Sequence, residues 1–544
     1  MSTVFVQESP RRANTYASDD LLRNYLQWKL GAELLASMER QLLELGELAA
    51  GTLFDLQQAD RCNEPTLTQW DAWGKRIDEI EVTPLWREAE RLAVRLGLIA
   101  IPYERNEGPW SRTRQFALVY LFHPVTDVYT CPLAMTDGAA RTLLESHNSR
   151  LIERAVPHLT SRDPTQFWTS GQWMTESTGG SDVGLSRTSA HRDASGVWRL
   201  QGKKWFTSAA NSQMALTLAR PEGNGPGGSG LALFYLETRA ADRSSNGLRI
   251  ERLKDKLGTR KVPTAELTLE GTTAELVAGI TDGTRAIEPM LKITRTWNSV
   301  CAVASMRHAL DLAHDYARRR WVFGAPLAEQ PLHRETLADL GAVAAGAFLL
   351  TFLVIELLGR EEAELLDQEE KALLRFLTPI AKLATGKQAV QVVSEALEAF
   401  GGAGYVEDTG IPVLLRDTQV LPIWEGTTNV LSLDALLRAD PERGLAALKS
   451  WLERAIGGAE GGIFGTAAVV AAAALQHAHD WLSSTRERAL LQAGARRFAM
   501  TVARAVELAL LIEYGSAMRN AAALEASHDW CQRLLRAGVD SIEP

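Results

Sequence analysis

A carboxylate with an unusual setting stands in QVLPIWEGTTNVL (419–431), where Glu425 lies between an apolar segment and residues that start helices well. A carboxylate beside Trp424 and Ile423, if enclosed in an apolar cleft, would have its charged form disfavoured, which suits a general base. A glutamate at a helix start is also simply good electrostatics, and Thr427, Thr428 or Asn429 can cap that helix. MTESTGGSDVG (174–184) sets Gly179 and Gly180 before Ser181 and Asp182. Such a turn lets backbone amides approach a phosphate or ring edge, with Thr175 and Ser181 adding hydroxyls; it is also an ordinary polar turn. In GKKWFTSAA (202–210) a strand places Trp205 and Thr207 on one face. An aromatic plane beside a hydroxyl donor suits a flat tricyclic ring, while a tryptophan anchoring a sheet core is the plainer account. Arg318, Arg319 and Arg320 close an amphipathic helix in ARRRWVFGAPL (317–327), either as solvated cations at its negative end or as a fork for a pyrophosphate. EAFGGAGYVED (398–408) ends a helix on Gly401, Gly402 and Gly404, a C-cap turn first and a ligand contact second.

The elements that must hold these residues change character along the chain. From about residue 20 to 165, leucines recur three and four apart between proline breaks, which predicts several helices. From about 170, WRLQGKKWFTS, MALTLAR, GLALFYLET, LRIERL and TAELTLE are short, β-branched and aromatic segments with connections too short for crossover helices. They predict a small antiparallel β-domain. After about 285 the helical period returns over 299–320, 335–358, 369–400 and 427–438, followed by an alanine-rich helical tail broken at GGAEGG (457–462). The expected architecture is α+β. It comprises an N-terminal helical domain (1–170), a middle antiparallel, barrel-like β-domain (171–285), a C-terminal four-helix bundle (286–440) and a helical extension (441–544).

Composition excludes several classes. A chain of 544 residues exceeds the size of a single core. Net charge −9 argues against a globally basic nucleic-acid binder. Cys62, Cys131, Cys301 and Cys531 have no metal-ligand or disulfide-framework spacing, so no metal site is expected. The run GAVAAGAFLLTFLVI is too short to span a bilayer and reads as a buried helix. GNGPGGSG (223–230) lies between two strands and contains proline, so it is a hairpin loop and not a dinucleotide-binding turn. A cytoplasmic, soluble protein in a reducing compartment, with no membrane association, is the expectation.

Taken in order, MTE-x-x-GGSDV, KKWFTS, R-x-x-FG-x-P, FGG-x-GY and IWEGTTN resemble the acyl-CoA dehydrogenase superfamily, over roughly residues 85 to 438. CPLAMT (131–136), LRIERLKDKLGTR (248–260), VFGAPLAEQPLHR (322–334) and the extension resemble, within it, the AidB-type flavoproteins of the alkylation response. The resemblance implies FAD lined by Met174, Thr175, Gly180 and Ser181, with Trp205 and Thr207 on its other edge. Arg320 and Phe323 would reach FAD across a subunit boundary in a homotetramer, or at least a dimer. Gly401 and Gly402 would touch its phosphates, and Thr427 and Asn429 would contact the cofactor after the catalytic loop. Glu425 would be the base and Arg295 a pocket arginine.

The implied reaction is α,β-desaturation of an acyl thioester. Glu425 takes the α-proton and the flavin a hydride, and the electrons pass on to an electron-transferring flavoprotein. In the family the backbone amide of the base and a ribityl hydroxyl of FAD stabilise the enolate. Lys292 and Glu398 depart from the family pattern at positions near CoA and nucleotide. Other readings are a DNA-associated flavoprotein with weak dehydrogenase activity, using Arg486, Arg488, Arg496, Arg497 and Arg504 of the extension; another flavin chemistry, such as nitroalkane oxidation or hydroxylation; and a cofactor-free scaffold. The extension carries eleven basic and eleven acidic residues, which does not favour DNA.

Overall fold

The computed structural model describes residues 7–240, 242, 244–459 and 461–538. The chain forms two compact units, Leu56–Glu104 with Thr126–Trp297, and Met1–Asp55 with Arg105–Val125 and Asn298–Pro544. The N-terminal helices are thus divided between them.

The first unit is built on a seven-stranded sheet: β3 (Ser170–Trp173), β4 (Ser189–Arg192), β5 (Trp198–Thr207), β6 (Met214–Pro221), β7 (Ala232–Glu237), β8 (Leu248–Leu253) and β9 (Ala265–Leu276). Pairings run β6–β4–β5–β9–β7 and return from β7 to β6, so these strands close a small barrel. Closure leaves β3 and β8 as the strands with a single partner, so little sheet edge remains to template aggregation. All ladders were expected to be antiparallel, yet β3 and β4 both run parallel to β6. The physical reason is that β4 and β5 themselves form the connections that a parallel pair requires. β6 is buried on both faces, which is why MALTLAR shows no polar alternation. Ala215 and Ala219 face the barrel core with Leu200 and Phe234, while Met214, Leu216 and Leu218 pack against helices through Leu143, Leu151 and Met290. A hairpin outside the expectation, β1 (Thr66–Trp70) and β2 (Arg76–Glu81), interrupts the N-terminal helices. Thr66 and Thr68 alternate with Leu67 in TLTQW, a period-2 signal inside a helix-rich region, while Ile77 and Ile80 of RIDEIE stand three apart.

The second unit is helical. Its long members are Asp20–Ala50, Pro331–Glu362, Gln368–Glu398, Arg488–Ala517 and the part of Glu288–Arg319 from Asn298 onward. Asp367 caps the Gln368 helix in a reciprocal box with Glu370. The Pro331–Glu362 helix is the one among the described residues long and apolar enough to cross a membrane, and it is mostly buried, as its sequence suggested. The C-terminal extension packs on the bundle: the Gln388 amide donates to Glu507 at 2.7 Å from one helix to the other. Burial raises the Glu507 carboxyl above its ordinary range against the pull of Arg504.

Candidate functional site

In the sheet unit the Met174–Asp182 segment leaves β3 and is fastened at its neck by one buried carboxylate. Glu176 accepts from the Arg187 N–H (2.7 Å), the Thr188 N–H (3.2 Å), the Thr188 hydroxyl (2.6 Å) and the Lys204 ammonium (2.9 Å). Burial alone would raise its pKa, but Lys204 and these donors outweigh burial and hold it below the usual carboxylate range. Lys204, wholly buried, also donates to the Leu218 carbonyl at 2.8 Å. Desolvation pulls the lysine down more than Glu176 returns, yet with two anionic or carbonyl acceptors the ionised pair is the state the geometry supports. Beyond this neck Gly179, Gly180 and Ser181 are exposed, and Gly179 takes a positive φ of 121° with open space where a Cβ would stand. A Cβ on Gly180 would instead lie 2.6 Å from the Thr175 hydroxyl, so that position needs glycine. Met174 and Thr175 are half-buried, and the Thr175 carbonyl accepts from the Trp205 N–H at 2.9 Å, which sets the two candidate flavin segments side by side.

The pairing of Trp205 and Thr207 differs from simple alternation. The β5–β9 register slips between Lys204 and Thr207, so Lys204 and Thr207 are both fully buried while Trp205 is half-buried. The Thr207 hydroxyl, expected as a donor, gives its hydrogen to the Ala265 carbonyl at 2.6 Å. Its lone pairs remain, so it can accept a hydrogen bond from a ring N–H. One face of the Trp205 indole is covered by the Lys254 ammonium, 3.6 Å from the ring centroid. Arg295 is half-buried near the start of its helix.

In the helical unit Arg320 follows the helix ending at Arg319. Trp321–Val322 then pairs antiparallel with Ala325–Pro326, across a two-residue turn of Phe323 (φ 50°) and Gly324 (φ 83°). A left-handed conformation is costly for a bulky side chain, and the turn leaves Phe323 98% exposed. Gly401 and Gly402 are exposed at the end of the Gln368 helix, and neither would bring a Cβ within 4 Å of another atom.

Glu425 is half-buried with φ 57°, a left-handed backbone conformation that is strained for a non-glycine residue. Its loop is fixed from several sides. Buried Lys382 donates to the carbonyls on either side of it, Trp424 O at 2.6 Å and Gly426 O at 2.7 Å. With its amide oriented to suit its neighbours, Asn298 donates to Leu421 O at 3.2 Å and accepts from the Trp424 indole N–H. Gly386 lets the loop lie against the Gln368 helix, since a Cβ there would stand 3.2 Å from Leu421 O. Thr427 caps the Thr428–Leu437 helix by accepting from the Val430 N–H, while Asn429 is exposed in its first turn.

Three functional candidates were not apparent from the motifs. Lys382 is a lone cation in the apolar run FLTPIAKLATG, and that loneliness was its signal. Glu176 lies inside MTE and Lys204 inside KKW, where a buried pair across 28 positions leaves no local signal. The extension's arginines do not form one face: Arg486, Arg488, Arg496 and Arg497 are exposed, whereas Arg504 turns inward to pair with buried Glu507 at 2.9 Å.

The features fit a flavin nucleotide: open glycine backbone and an exposed hydroxyl for phosphates, a tryptophan with one face already backed, and a buried hydroxyl with acceptor capacity. Comparison with known proteins agrees. Family models match for the acyl-CoA dehydrogenase C-terminal domain over 281–438, its middle domain over 171–272, and the adaptive response protein AidB N-terminal domain over 7–164. The chain is 40% identical to "Acyl-CoA dehydrogenase family member 11" of Caenorhabditis elegans, covering 97% of this chain and 88% of that one. It is 32% identical to the putative acyl-CoA dehydrogenase AidB of Escherichia coli, covering 82% of each. A crystal structure of Caenorhabditis elegans ACDH-11 in complex with C11-CoA superposes with a TM-score of 0.93 at 39% identity, over 98% of this chain and 93% of that one. A Bacillus anthracis acyl-CoA dehydrogenase complexed with FAD shares the fold, with a TM-score of 0.68 at 18% identity over 85% of this chain and 86% of that one. The chain therefore belongs to the FAD-dependent acyl-CoA dehydrogenase family, with an N-terminal domain of the AidB type.

Proposed function

We propose that this enzyme desaturates a CoA thioester between its α and β carbons, with Glu425 as the general base. The observation that carries the reading is the loop of Glu425: a carboxylate in a strained conformation, gripped on both sides by Lys382 and followed at once by a capped helix. Strain of this kind persists where the surroundings hold it and clusters at functional sites. Bound FAD supplies the electron sink for the hydride lost from the β carbon. Glu425 receives the α-proton, while Met174, Thr175, Gly180, Ser181, Trp205, Thr207, Gly401, Gly402, Thr427 and Asn429 hold and orient the cofactor and Arg295 faces the substrate. CoA as carrier is supported by the C11-CoA complex of the nematode relative. An electron-transferring flavoprotein is the proposed acceptor. The free thiols of the four cysteines suit a cytoplasmic, reducing compartment.

Phe323, held outward in a strained turn next to Arg320, supports assembly with a second copy, as a homotetramer or dimer that completes the FAD site. We favour dehydrogenation over a DNA-binding role because Arg504, one of the five arginines that role would use, is spent on Glu507 inside the fold. The test is the visible spectrum of the purified protein followed by anaerobic mixing with acyl-CoAs. A yellow protein that releases FAD on denaturation and bleaches with an acyl-CoA is expected. Colourless protein, FMN in place of FAD, flavin that stays with the denatured chain, or flavin that no acyl-CoA bleaches would refute the reading.

A further inference from the structure

A trans peptide is planar, with its C=O and N–H pointing in opposite directions. Whatever fixes one carbonyl therefore aims the N–H of the next residue. Lys382 fixes the carbonyl of Trp424 at 2.6 Å and that of Gly426 at 2.7 Å. The N–H sharing the first of these peptides is that of Glu425, and it is turned directly away from the lysine.

Other observations make this a built feature. Lys382 is 0% exposed, so its charge has been taken out of water, and it donates to two backbone carbonyls of one short loop. A charged buried group is costly to keep unless its partners are well placed. The loop bends sharply enough to bring both carbonyls to one ammonium only because Glu425 and Gly426 both take positive φ, 57° and 103°. Asn298 and Gly386 hold the preceding turn, at Leu421, against the same core. The helix carrying Lys382 is thus the platform on which the Glu425 peptide is oriented.

We propose that Lys382 is a positioning residue for the enolate site. By holding the Trp424 and Gly426 carbonyls inward it aims the Glu425 N–H at the thioester carbonyl oxygen, and its charge, acting through the peptide, strengthens that N–H as a donor. Polarisation along a hydrogen-bonded chain acts in this direction. A donor already aimed where negative charge will develop needs no reorganisation during reaction, and loss of one such donor typically slows catalysis roughly 10²–10³-fold. The role is separate from proton abstraction: Glu425's side chain takes the proton, and Lys382 arranges its backbone.

The inference rests on the proposed dehydrogenase reading, and its test separates the two. The probe is an eleven-carbon trans-2-enoyl-CoA, the chain length of the nematode complex, labelled with carbon-13 at the thioester carbonyl. The vibrational frequency of that carbonyl is read bound and free, in wild type, Lys382→Met, Lys382→Gln and Glu425→Gln, alongside FAD content and the rate of flavin reduction by the saturated thioester. Wild type and Glu425→Gln should lower the carbonyl frequency on binding, because both keep the backbone donor. Lys382→Met should retain FAD, lose most of the frequency shift, and reduce its flavin roughly a hundredfold more slowly. Lys382→Gln, too short to bridge both carbonyls, should do the same to a smaller extent and keeps the question answerable if methionine proves too disruptive. An unchanged carbonyl shift in whichever lysine variant retains FAD overturns the proposal, as does loss of FAD from both, which would make Lys382 a fold residue only. Wild-type flavin reduction in Glu425→Gln would instead overturn the dehydrogenase reading's choice of base, whatever Lys382 does.

Discussion

Lys204 in the sheet unit and Lys382 in the helical unit, both 0% exposed, hold two different segments in place. Lys204 in the barrel donates to the Glu176 carboxylate and to the Leu218 carbonyl, and Glu176 gathers further donors at the neck of the candidate flavin segment. Lys382 in the helical unit is given carbonyls by the loop it orients. Glu176 fastens the neck of its segment, and the glycines beyond it stay exposed. Carbonyl partners pass the field along the backbone, to the residue that carries the proposed chemistry. Gly179–Ser181 are exposed, whereas the Glu425 loop is held by helix, amide and glycine contact together.

The largest effect on stability should come from breaking the barrel pair. Lys204→Met leaves Glu176 buried without its counter-charge, a change that typically costs about 3–5 kcal/mol. Urea unfolding should show it, and FAD affinity should fall with it. Lys204→Met as stable as wild type would mean that the pair adds nothing to the neck of the flavin segment.

Acid should separate the units next. Burial lowers His123 to about 4 and pushes His308 well below its usual value, both in the helical unit. The folded imidazole stays neutral while the unfolded one takes up a proton as the pH falls through 6.5. Stability therefore drops from pH 6.5 toward 4, by about 1.4 kcal/mol per unit for each histidine. Glu176 is held low, so its contribution is full above the ordinary carboxylate range and lost only as the pH falls through its own depressed value. Hydrogen exchange at pH 7 and 5 should show weakened protection in the helices near His123 and little change across β4–β6. His123→Asn should flatten the helical response; equal loss in both units would contradict the assignment.

The smallest effect on the fold should be at Phe323. Because the side chain is exposed, Phe323→Ala should alter single-chain stability by no more than about 0.5 kcal/mol. The molecular mass by light scattering should nevertheless fall toward that of one chain, with FAD released more readily. An unchanged mass would remove Phe323 from the proposed subunit contact.

How much of this was legible in the sequence depends on the range of the force involved. Helices such as Pro331–Glu362 and Gln368–Glu398 were legible because period, proline and caps are local. Strands β5 to β9 were legible for the same reason. The short β3 and β4 were not, nor was the direction of their pairing, because register across a closed barrel is set by strands far apart in sequence. Trp205 and Thr207 do lie on a strand as their sequence suggested, but a slip of one residue in β5 changed what shares a face with what. Glu425 and its cap were visible in IWEGTTN; its holder Lys382 lies a helix away, and no motif joins them.

The most direct test of the central claim is rapid-mixing measurement of flavin reduction in Glu425→Gln with an acyl-CoA that bleaches the wild type. Glutamine keeps the shape of the side chain and removes the base, and positioned general bases are typically worth 10²–10⁴-fold. Bleaching at least roughly a hundredfold slower is expected, with FAD content and melting temperature nearly unchanged, since Thr427 and the glycine turns remain. Bleaching at the wild-type rate would place the base elsewhere, and loss of FAD would make Glu425 a structural residue at a helix start.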